Sequence, residues 1–281
     1  IAISGVSTIA ATAMSGSGTT WTYDYVAPAG DGTETVALSS GTDASGNEVT
    51  SAPTSGATFT VDNTAPTAEI TYAGSGGSPY KQGDTVTITA TFTEALTTTP
   101  KIAISGVSTI AATAMSGSGT TWTYDYVAPA GDGTETVALS SGTDASGNEV
   151  TSAPTSGATF TVDNTAPTAA ITYSPAGPYK NGQTVTITAT FNGAVLDSPV
   201  PTIAIAGSGI ANVTSTNMTK SSTTVYTYSY AVPTGDGTGT VTVGTGTDAS
   251  ANIVTSVPTS GATFTVDNTA PTLEAVTQVP V

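Results

Sequence analysis

The side chains of this sequence that can do chemistry are oxygen donors placed in turn-forming motifs. Five of them lie in or after the first Val-Asp-Asn-Thr-Ala-Pro segment: Asp62, Asn63, Glu94, Asp144 and Asn148. Ca²⁺ takes six to eight hard oxygens from carboxylates, amides, backbone carbonyls and water. We therefore predict a calcium site if the fold brings these turns together. The competing interpretation is structural, because Asp and Asn are favoured in tight turns for local hydrogen bonds alone.

A second set of the same kind follows the next copy of that segment. Its members are Asp163, Asn164, Asn192, Asp197, Asp248 and Asn252. Gly193 stands here in place of Glu94, and Ala251 in place of Gly147, so this set has fewer of the expected ligands. A Gly-Asp-Gly turn recurs at three further positions: Asp31, Asp132 and Asp236. We interpret it as a hairpin turn, with a metal contact to the following unit as the alternative.

Composition excludes several classes of function. The chain has no His and no Cys, which removes disulfides, thiol nucleophiles, zinc sites built from these residues and imidazole acid–base catalysis. Ser is frequent but has no plausible base, so we predict that the chain is not an enzyme. Calcium is the expected cofactor, although the sequence does not require it. A net charge of −16 repels nucleic acid and anionic membranes and attracts divalent cations. No apolar run approaches the length of a membrane span.

The elements that must position these residues come in repeated units. Ile1–Ala68 recurs without a change as Ile102–Ala169, and a diverged third copy begins at Ile203. A period of about 100 residues is the size of one sandwich domain. We take the Val-Asp-Asn-Thr-Ala-Pro segments as boundaries, because proline suits a junction between sheets. The predicted units are 1–66 (the first unit, which lacks two strands), 67–167 (the second), 168–271 (the third) and 272–281, the first strand of another.

Strand patterns with a period of two fill these units, whereas helix patterns are nearly absent. In Thr85–Phe92 the apolar residues alternate with threonines, and Trp21, Tyr23 and Tyr25 share one face of another run. Seven strands are predicted in the second unit, at about 68–72, 85–93, 101–106, 111–115, 121–127, 134–140 and 157–163. The predicted fold is all-β, with tandem seven-stranded Ig-like β-sandwich domains arranged end to end as a rod. In such a sandwich the loops after the second and sixth strands lie at the pole that meets the preceding junction.

A set of motifs that covers most strand boundaries resembles a known family. The motifs are Tyr80–Val86, Phe92–Ala95, Gly131–Gly133, Asp144–Asn148 and Val162–Pro167. They are similar to the bacterial Ig-like repeats of large extracellular adhesins and surface filament proteins. The resemblance implies an extracellular spacer on a bacterial surface, and it implies calcium bound between neighbouring domains.

A ligand-binding sandwich is the alternative function, in which the Trp21 face holds a glycan or the outward threonines bind ice or a carbohydrate. For the aromatic face, strict alternation favours a place in the core.

The expected partners are neighbouring repeats of the same protein. Residues 1–66 cannot close a sandwich alone, so the missing strands come from upstream sequence or from a neighbouring subunit by strand addition, as in a homopolymeric filament. Upstream sequence is the simpler expectation, because 272–281 supplies only one strand.

Overall fold

The computed structural model describes residues 1–74 and 77–274 of the chain. Every regular element among them is a β-strand, and every strand pair between them is antiparallel. The strands are β1 (Ala2–Ser4), β2 (Thr8–Ile9), β3 (Ser15–Ser17), β4 (Thr20–Thr22), β5 (Gly32–Ala37), β6 (Thr58–Val61), β7 (Ala68–Gly74), β8 (Thr85–Leu96), β9 (Lys101–Ser105), β10 (Thr109–Ala114), β11 (Ser116–Val127), β12 (Gly133–Ser140), β13 (Thr159–Val162), β14 (Ala169–Ser174), β15 (Thr184–Phe191), β16 (Thr202–Ala206), β17 (Val213–Asn217), β18 (Thr219–Lys220), β19 (Val225–Ala231), β20 (Gly237–Gly244) and β21 (Thr263–Val266). None of the described residues belongs to a helix that could span a bilayer.

Residues 68–162 fold around one hydrophobic core. A three-stranded sheet of order β11-β8-β7 packs on a four-stranded sheet of order β10-β9-β12-β13. Side chains from both sheets, such as Ile88 of β8 and Leu139 of β12, meet in this core and are fully buried. Alternation explains which residues they are, because successive side chains of a strand point to opposite faces. The prediction of an all-β protein of the β-sandwich class is confirmed.

Residues 169–266 form a second core between two four-stranded sheets. Their orders are β14-β15-β19-β18 and β17-β16-β20-β21. The short strand β18 pairs with β19 through Thr219 and Lys220, as β3 pairs with β4 in the first unit.

Two strands are longer than their sequence pattern predicts. β8 continues to Leu96, and β11 already begins at Ser116. The pairing of the two strands shifts register between Gly119 and Thr121, and beyond the shift Gly119 lies opposite Leu96. Leu96 keeps the alternation of β8, since it lies four residues after the buried Phe92, and its side chain joins the core. Glu94, which the sequence places in a turn, therefore lies within the last part of β8.

The first unit has one complete sheet and a hairpin. The sheet has the order β2-β1-β5-β6, and the hairpin pairs β3 with β4. No strand of the described chain covers the other edge of this hairpin, and Trp21 is largely exposed. At the other end, residues 271–274 carry no strand, and residues 275–281 lie outside the described part. The predicted strand at 272–281 therefore stays a prediction.

One buried carboxylate had no place in the sequence prediction. Glu135 has no exposed surface, and its Oε1 accepts hydrogen bonds from the Ser108 backbone N–H, the Ser108 hydroxyl and the Tyr126 hydroxyl. Its Oε2 has no hydrogen-bond partner among the described residues and lies where a Cβ on Gly106 would be 2.8 Å away. This network ties β12 to β11 inside the core. Glu34 makes the same contacts in the first unit.

Candidate metal centre

The Asp-Ala-Ser-Gly-Asn loop of the second unit is organised around the carboxylate of Asp144. This group accepts hydrogen bonds from the backbone N–H groups of Ser146 (2.8 Å) and Asn148 (2.9 Å) and from the Asn148 side-chain amide (2.9 Å). Only 2% of Asp144 is exposed. Burial alone raises the pKa of Asp144, but the hydrogen bonds from Asn148 and Ser146 outweigh it and hold the pKa below its usual value. The loop therefore presents a charged carboxylate.

The same loop holds the junction that precedes the second unit. The Ser146 hydroxyl donates to Oδ2 of Asp62 at 3.2 Å, and the Asn148 amide donates to the Asp62 backbone carbonyl at 3.1 Å. The Thr151 N–H also donates to the carbonyl of Pro66 at 3.0 Å. The Asn148 amide thus joins the loop and the junction, as its predicted position requires.

Three carboxylates meet at this junction. One oxygen each of Asp62, Glu94 and Asp144 lies within 4.8 Å of the other two. The pKa of Glu94 is raised, first by burial and then by the negative charges of Asp144, Asp62 and Asp31. Carboxylates that repel one another in this way are stabilised by a hard divalent cation, which takes oxygen ligands. The structure brings together four of the five residues predicted for this site.

Asn63, the fifth residue, turns to the preceding unit. Its side-chain amide donates to the carbonyl of Gly30 at 2.6 Å, and its backbone N–H donates to Asp31 at 2.5 Å. Asp31 also accepts the hydroxyl of Thr64, and these hydrogen bonds lower its pKa. The Gly-Asp-Gly turn of the first unit is therefore a clamp on the junction. The amide of Asn63 completes this clamp.

The same clamp recurs after the second and third units. Asn164 donates its side-chain amide to Gly131 and its backbone N–H to Asp132, and its Oδ1 accepts the backbone N–H of Gln82 at 2.6 Å. Asp236 is the corresponding acceptor for Asn268. As with Asn63, the structure gives Asn164 a role in holding the junction, whereas the sequence placed it among calcium ligands.

The second junction keeps the loop contacts and lacks the third carboxylate. The Ser250 hydroxyl donates to Oδ2 of Asp163 at 3.2 Å, and the Asn252 amide donates to the Asp163 carbonyl at 3.0 Å. Asp163 and Asp248 line an open cleft of about 310 Å³ together with Asn192 and Gly193. Since Gly193 replaces Glu94, this cleft has two carboxylates instead of three.

Two residues predicted for the second junction have other partners. Asp197 forms an ion pair with Lys220 at 2.6 Å and accepts the Tyr226 hydroxyl at 2.8 Å. Lys220 first and Tyr226 second lower the pKa of Asp197. Asn192 accepts the backbone N–H of Thr168 at 2.8 Å, a contact within its own unit. The charge of Asp197 is thus compensated inside the third unit.

The loops of the two junctions differ at one strained position. Gly147 has φ of 91°, and Ala251 at the corresponding place has φ of 61°, in the left-handed region that disfavours side chains. We predict that Ala251→Gly stabilises the third unit by about 1 kcal/mol and that Gly147→Ala destabilises the second unit by about the same amount. A Cβ added to Gly147 meets nothing within 4 Å, so only the backbone contributes. Differential scanning calorimetry checks both signs, and a midpoint lowered by Ala251→Gly would contradict the prediction.

Comparison with known proteins adds little to this geometry. No family model matches the sequence, and no curated protein is significantly similar to it. Among solved structures the chain is similar to the human OSCAR ligand-binding domain, with a TM-score of 0.31 and 11% sequence identity. The match covers 72% of this chain and 97% of that one. A likeness of this strength carries no argument about function.

Proposed function

We propose that the chain is a structural spacer on a bacterial surface, built from tandem Ig-like sandwich units that join end to end as a rod. The clamped junction is the observation that carries this proposal. Residues of the preceding unit, through Asp31, and of the following unit, through Ser146 and Asn148, both bind the segment between them. A connection held from both sides limits hinge motion between units, which suits a spacer.

The repeat itself supports the same function. Because Ile1–Ala68 and Ile102–Ala169 are identical, the second copy adds length and no new side-chain chemistry. The extracellular bacterial location rests on the motifs that resemble surface adhesin repeats. A surface adhesin or an assembled filament both fit a spacer of this kind.

Calcium is the proposed cofactor at the first junction. Asp62, Glu94 and Asp144 would supply its carboxylate ligands, and backbone carbonyls and water would complete the shell. The ion would neutralise their mutual repulsion and link the junction, through Asp62, to the second unit. We expect an affinity of roughly 10⁻⁴–10⁻³ M, the range of extracellular modules.

Small-angle scattering of the full chain tests the spacer and its cofactor together. We expect added calcium to lengthen the maximum dimension and reduce flexibility relative to a chelator. Magnesium is the control, because it holds its water shell and demands octahedral geometry. Identical profiles with calcium and with chelator would reject rigidification by the ion. A compact globule in both conditions would reject the rod itself.

Replacing Glu94 should have opposite effects without and with calcium. In chelator, Glu94→Gln removes one of three repelling charges, so the thermal midpoint should rise. Because the pKa of Glu94 is raised on folding, this gain exists while Glu94 is charged and vanishes as pH falls through that pKa. In calcium, the same change removes a ligand, so the calcium-induced rise in midpoint should shrink.

The control for this variant is Glu69→Gln, which removes an equal charge from the exposed face of β7. It should change neither the midpoint in chelator nor the response to calcium by more than the error of a calorimetric scan. A lower midpoint for Glu94→Gln in chelator would show that its carboxylate stabilises the junction without a metal.

A further inference from the structure

Asparagine followed by glycine occurs twice in the sequence, as Asn181-Gly182 and Asn192-Gly193, and both pairs lie in the third unit. Asparagine is a chemically labile residue, because the next main-chain nitrogen can attack its side-chain amide. Glycine as the next residue favours this attack, since it has no Cβ to hinder the approach. Both asparagines are exposed, so the groups that hold each pair decide whether the reaction takes place in the folded chain.

The main-chain nitrogen of Gly193 is not held by a hydrogen bond. β15 ends at Phe191, and Asn192 and Gly193 form a bend directly after it. Among residues 1–74 and 77–274, the Gly193 N–H has no acceptor. A Cβ built on Gly193 would meet nothing within 4 Å, so no neighbouring group blocks the movement of this nitrogen towards Asn192.

The main-chain nitrogen of Gly182, in contrast, is held in place. Its N–H donates to the carbonyl of Val232 at 3.2 Å, and its φ of 84° belongs to a tight turn. The N–H of Asn181 donates to Oδ1 of Asn268 at 2.6 Å. Attack by the Gly182 nitrogen requires its hydrogen bond to break, which corresponds to roughly a fivefold change in rate.

The side-chain carbonyl of Asn192 is polarised by a backbone donor. Its Oδ1 accepts the N–H of Thr168 at 2.8 Å, and the Asn192 N–H donates back to the carbonyl of Thr168 at 3.0 Å. Attack at Cγ places negative charge on Oδ1, and an N–H already aimed at that oxygen stabilises the charge as it develops. At Asn192 the attacking nitrogen is therefore free and the attacked carbon is activated.

We propose that Asn192 is a site of spontaneous deamidation through a succinimide formed with Gly193. The Gly193 nitrogen loses its proton to solvent and bonds to Cγ of Asn192, and the side-chain nitrogen takes up a proton and leaves as ammonia. Water then opens the ring at one of its two carbonyl carbons, and the released Gly193 nitrogen regains a proton. Asn192 and Gly193 line an open cleft, so water reaches the ring. The reaction needs no enzyme, and the proposal does not rest on calcium or on the spacer function.

The products, aspartate or isoaspartate, change the second junction. Either one adds a carboxylate to the cleft that Asp163 and Asp248 already line. Isoaspartate also adds a methylene to the main chain and moves the oxygen that accepts the Thr168 N–H out of the side chain. The second unit has Thr93 at this position, and its hydroxyl accepts the N–H of Thr67 at 3.1 Å. The modification is therefore specific to the third unit.

Timed incubation of the full chain at mildly alkaline pH, followed by trypsin and mass spectrometry, tests the proposal. Trypsin cuts after Lys180 and Lys220, so one peptide, 181–220, carries both Asn-Gly pairs and its fragments report each of them. In the folded chain Asn192 should convert at least about fivefold faster than Asn181. In denaturant the two should convert at similar rates, because the contact of Gly182 is lost. Equal rates in the folded chain, or no conversion at Asn192, overturn the proposal.

Two variants separate the succinimide route and its consequence from general ageing of the protein. Gly193→Ala retains the fold, since its Cβ meets nothing within 4 Å, and should slow the conversion of Asn192 to the rate of Asn181 or below. Asn192→Thr copies Thr93 and cannot deamidate. After equal incubation, the thermal midpoint of the third unit should fall by about 4–8 °C in the original chain, for one lost hydrogen bond, and stay in place in Asn192→Thr. Equal falls in both, or full conversion with an unchanged midpoint, overturn the proposed effect on the junction.

Discussion

Asp144→Asn should abolish the stabilisation of the second unit by calcium, and Asp43→Asn should leave it intact. The two loops have the same sequence and the same internal bonds: Asp43 accepts from Ser45, from Asn47 and from the Asn47 amide, as Asp144 does from its neighbours. Only Asp144 is buried beside two further carboxylates. The pair of variants therefore separates the metal ligand from the turn-forming residue.

The size of this effect follows from mass action. At a free calcium concentration of about 100 times Kd, binding to the folded state alone adds about 2.7 kcal/mol. For an affinity of roughly 10⁻⁴ M this requires about 10 mM calcium. The midpoint of a domain of this size should then rise by about 10 °C or more. Calorimetry of both variants with calcium and with chelator measures the increment. If Asp144→Asn still shows the full calcium-induced rise in midpoint, Asp144 is not a calcium ligand.

Asp144→Asn also has a cost that does not involve calcium. The new amide faces the side-chain amide of Asn148, so the loop loses one hydrogen bond, worth about 1–3 kcal/mol when buried. Asp43→Asn loses the same bond in an exposed loop, where water replaces it. The difference in stability between the two variants in chelator therefore measures the effect of burial on the lost hydrogen bond. The difference in stability between calcium and chelator measures the stabilisation by the bound ion.

The sequence predicted the strands well because alternation is a local property. In the run Thr85–Phe92 every second residue is apolar, so the sequence alone indicates which face is buried. Glu94 interrupts the apolar series before Leu96, so the pattern did not extend β8 to Leu96, which pairs with Gly119 beyond a register shift. Local periodicity thus located the elements, and pairing between distant strands decided where they end.

The candidate site was predictable where backbone topology places whole loops together. Asp62, Glu94 and Asp144 meet because the junction, the end of β8 and the loop of Asp144 lie at one pole. The direction of a side chain depends on nearby partners, which a sequence pattern does not give. The side-chain amide of Asn63 donates to the carbonyl of Gly30, and the carboxylate of Asp197 pairs with Lys220. A lysine in the additional segment of the third unit was the available signal for the second of these.

The buried Glu135 also left a signal in the sequence. It alternates with Val137 and Leu139, so an inward direction follows from the strand pattern. The third unit has Gly239 at this position, and a Cβ there would lie 2.9 Å from Cδ1 of Ile210. Phe264, whose Cζ would lie 2.5 Å from that Cβ, and Ile210 therefore occupy this space in the third unit, whereas the first two units place a carboxylate and its hydroxyl partners there.

Trp122→Ala should destabilise the second unit by about 3–5 kcal/mol, because a large buried side chain leaves a cavity. Trp122 packs in the core and donates its indole N–H to the carbonyl of Gly119 at 3.0 Å. Trp21→Ala removes the same residue from the same sequence, with the same bond to Gly18 at 3.2 Å. Since Trp21 is exposed, its loss should cost less than about 1 kcal/mol.

Calorimetry of the two variants measures this difference within one chain. The transition of the second unit should fall by at least about 10 °C in Trp122→Ala and stay in place in Trp21→Ala. Because the local sequence is identical, strand propensity and turn chemistry are the same at both sites. The difference between the two stability losses therefore reports the burial of Trp122 by β7 and β8. Equal losses would mean that Trp21 is covered in solution, and the exposed face of the first unit would then not exist.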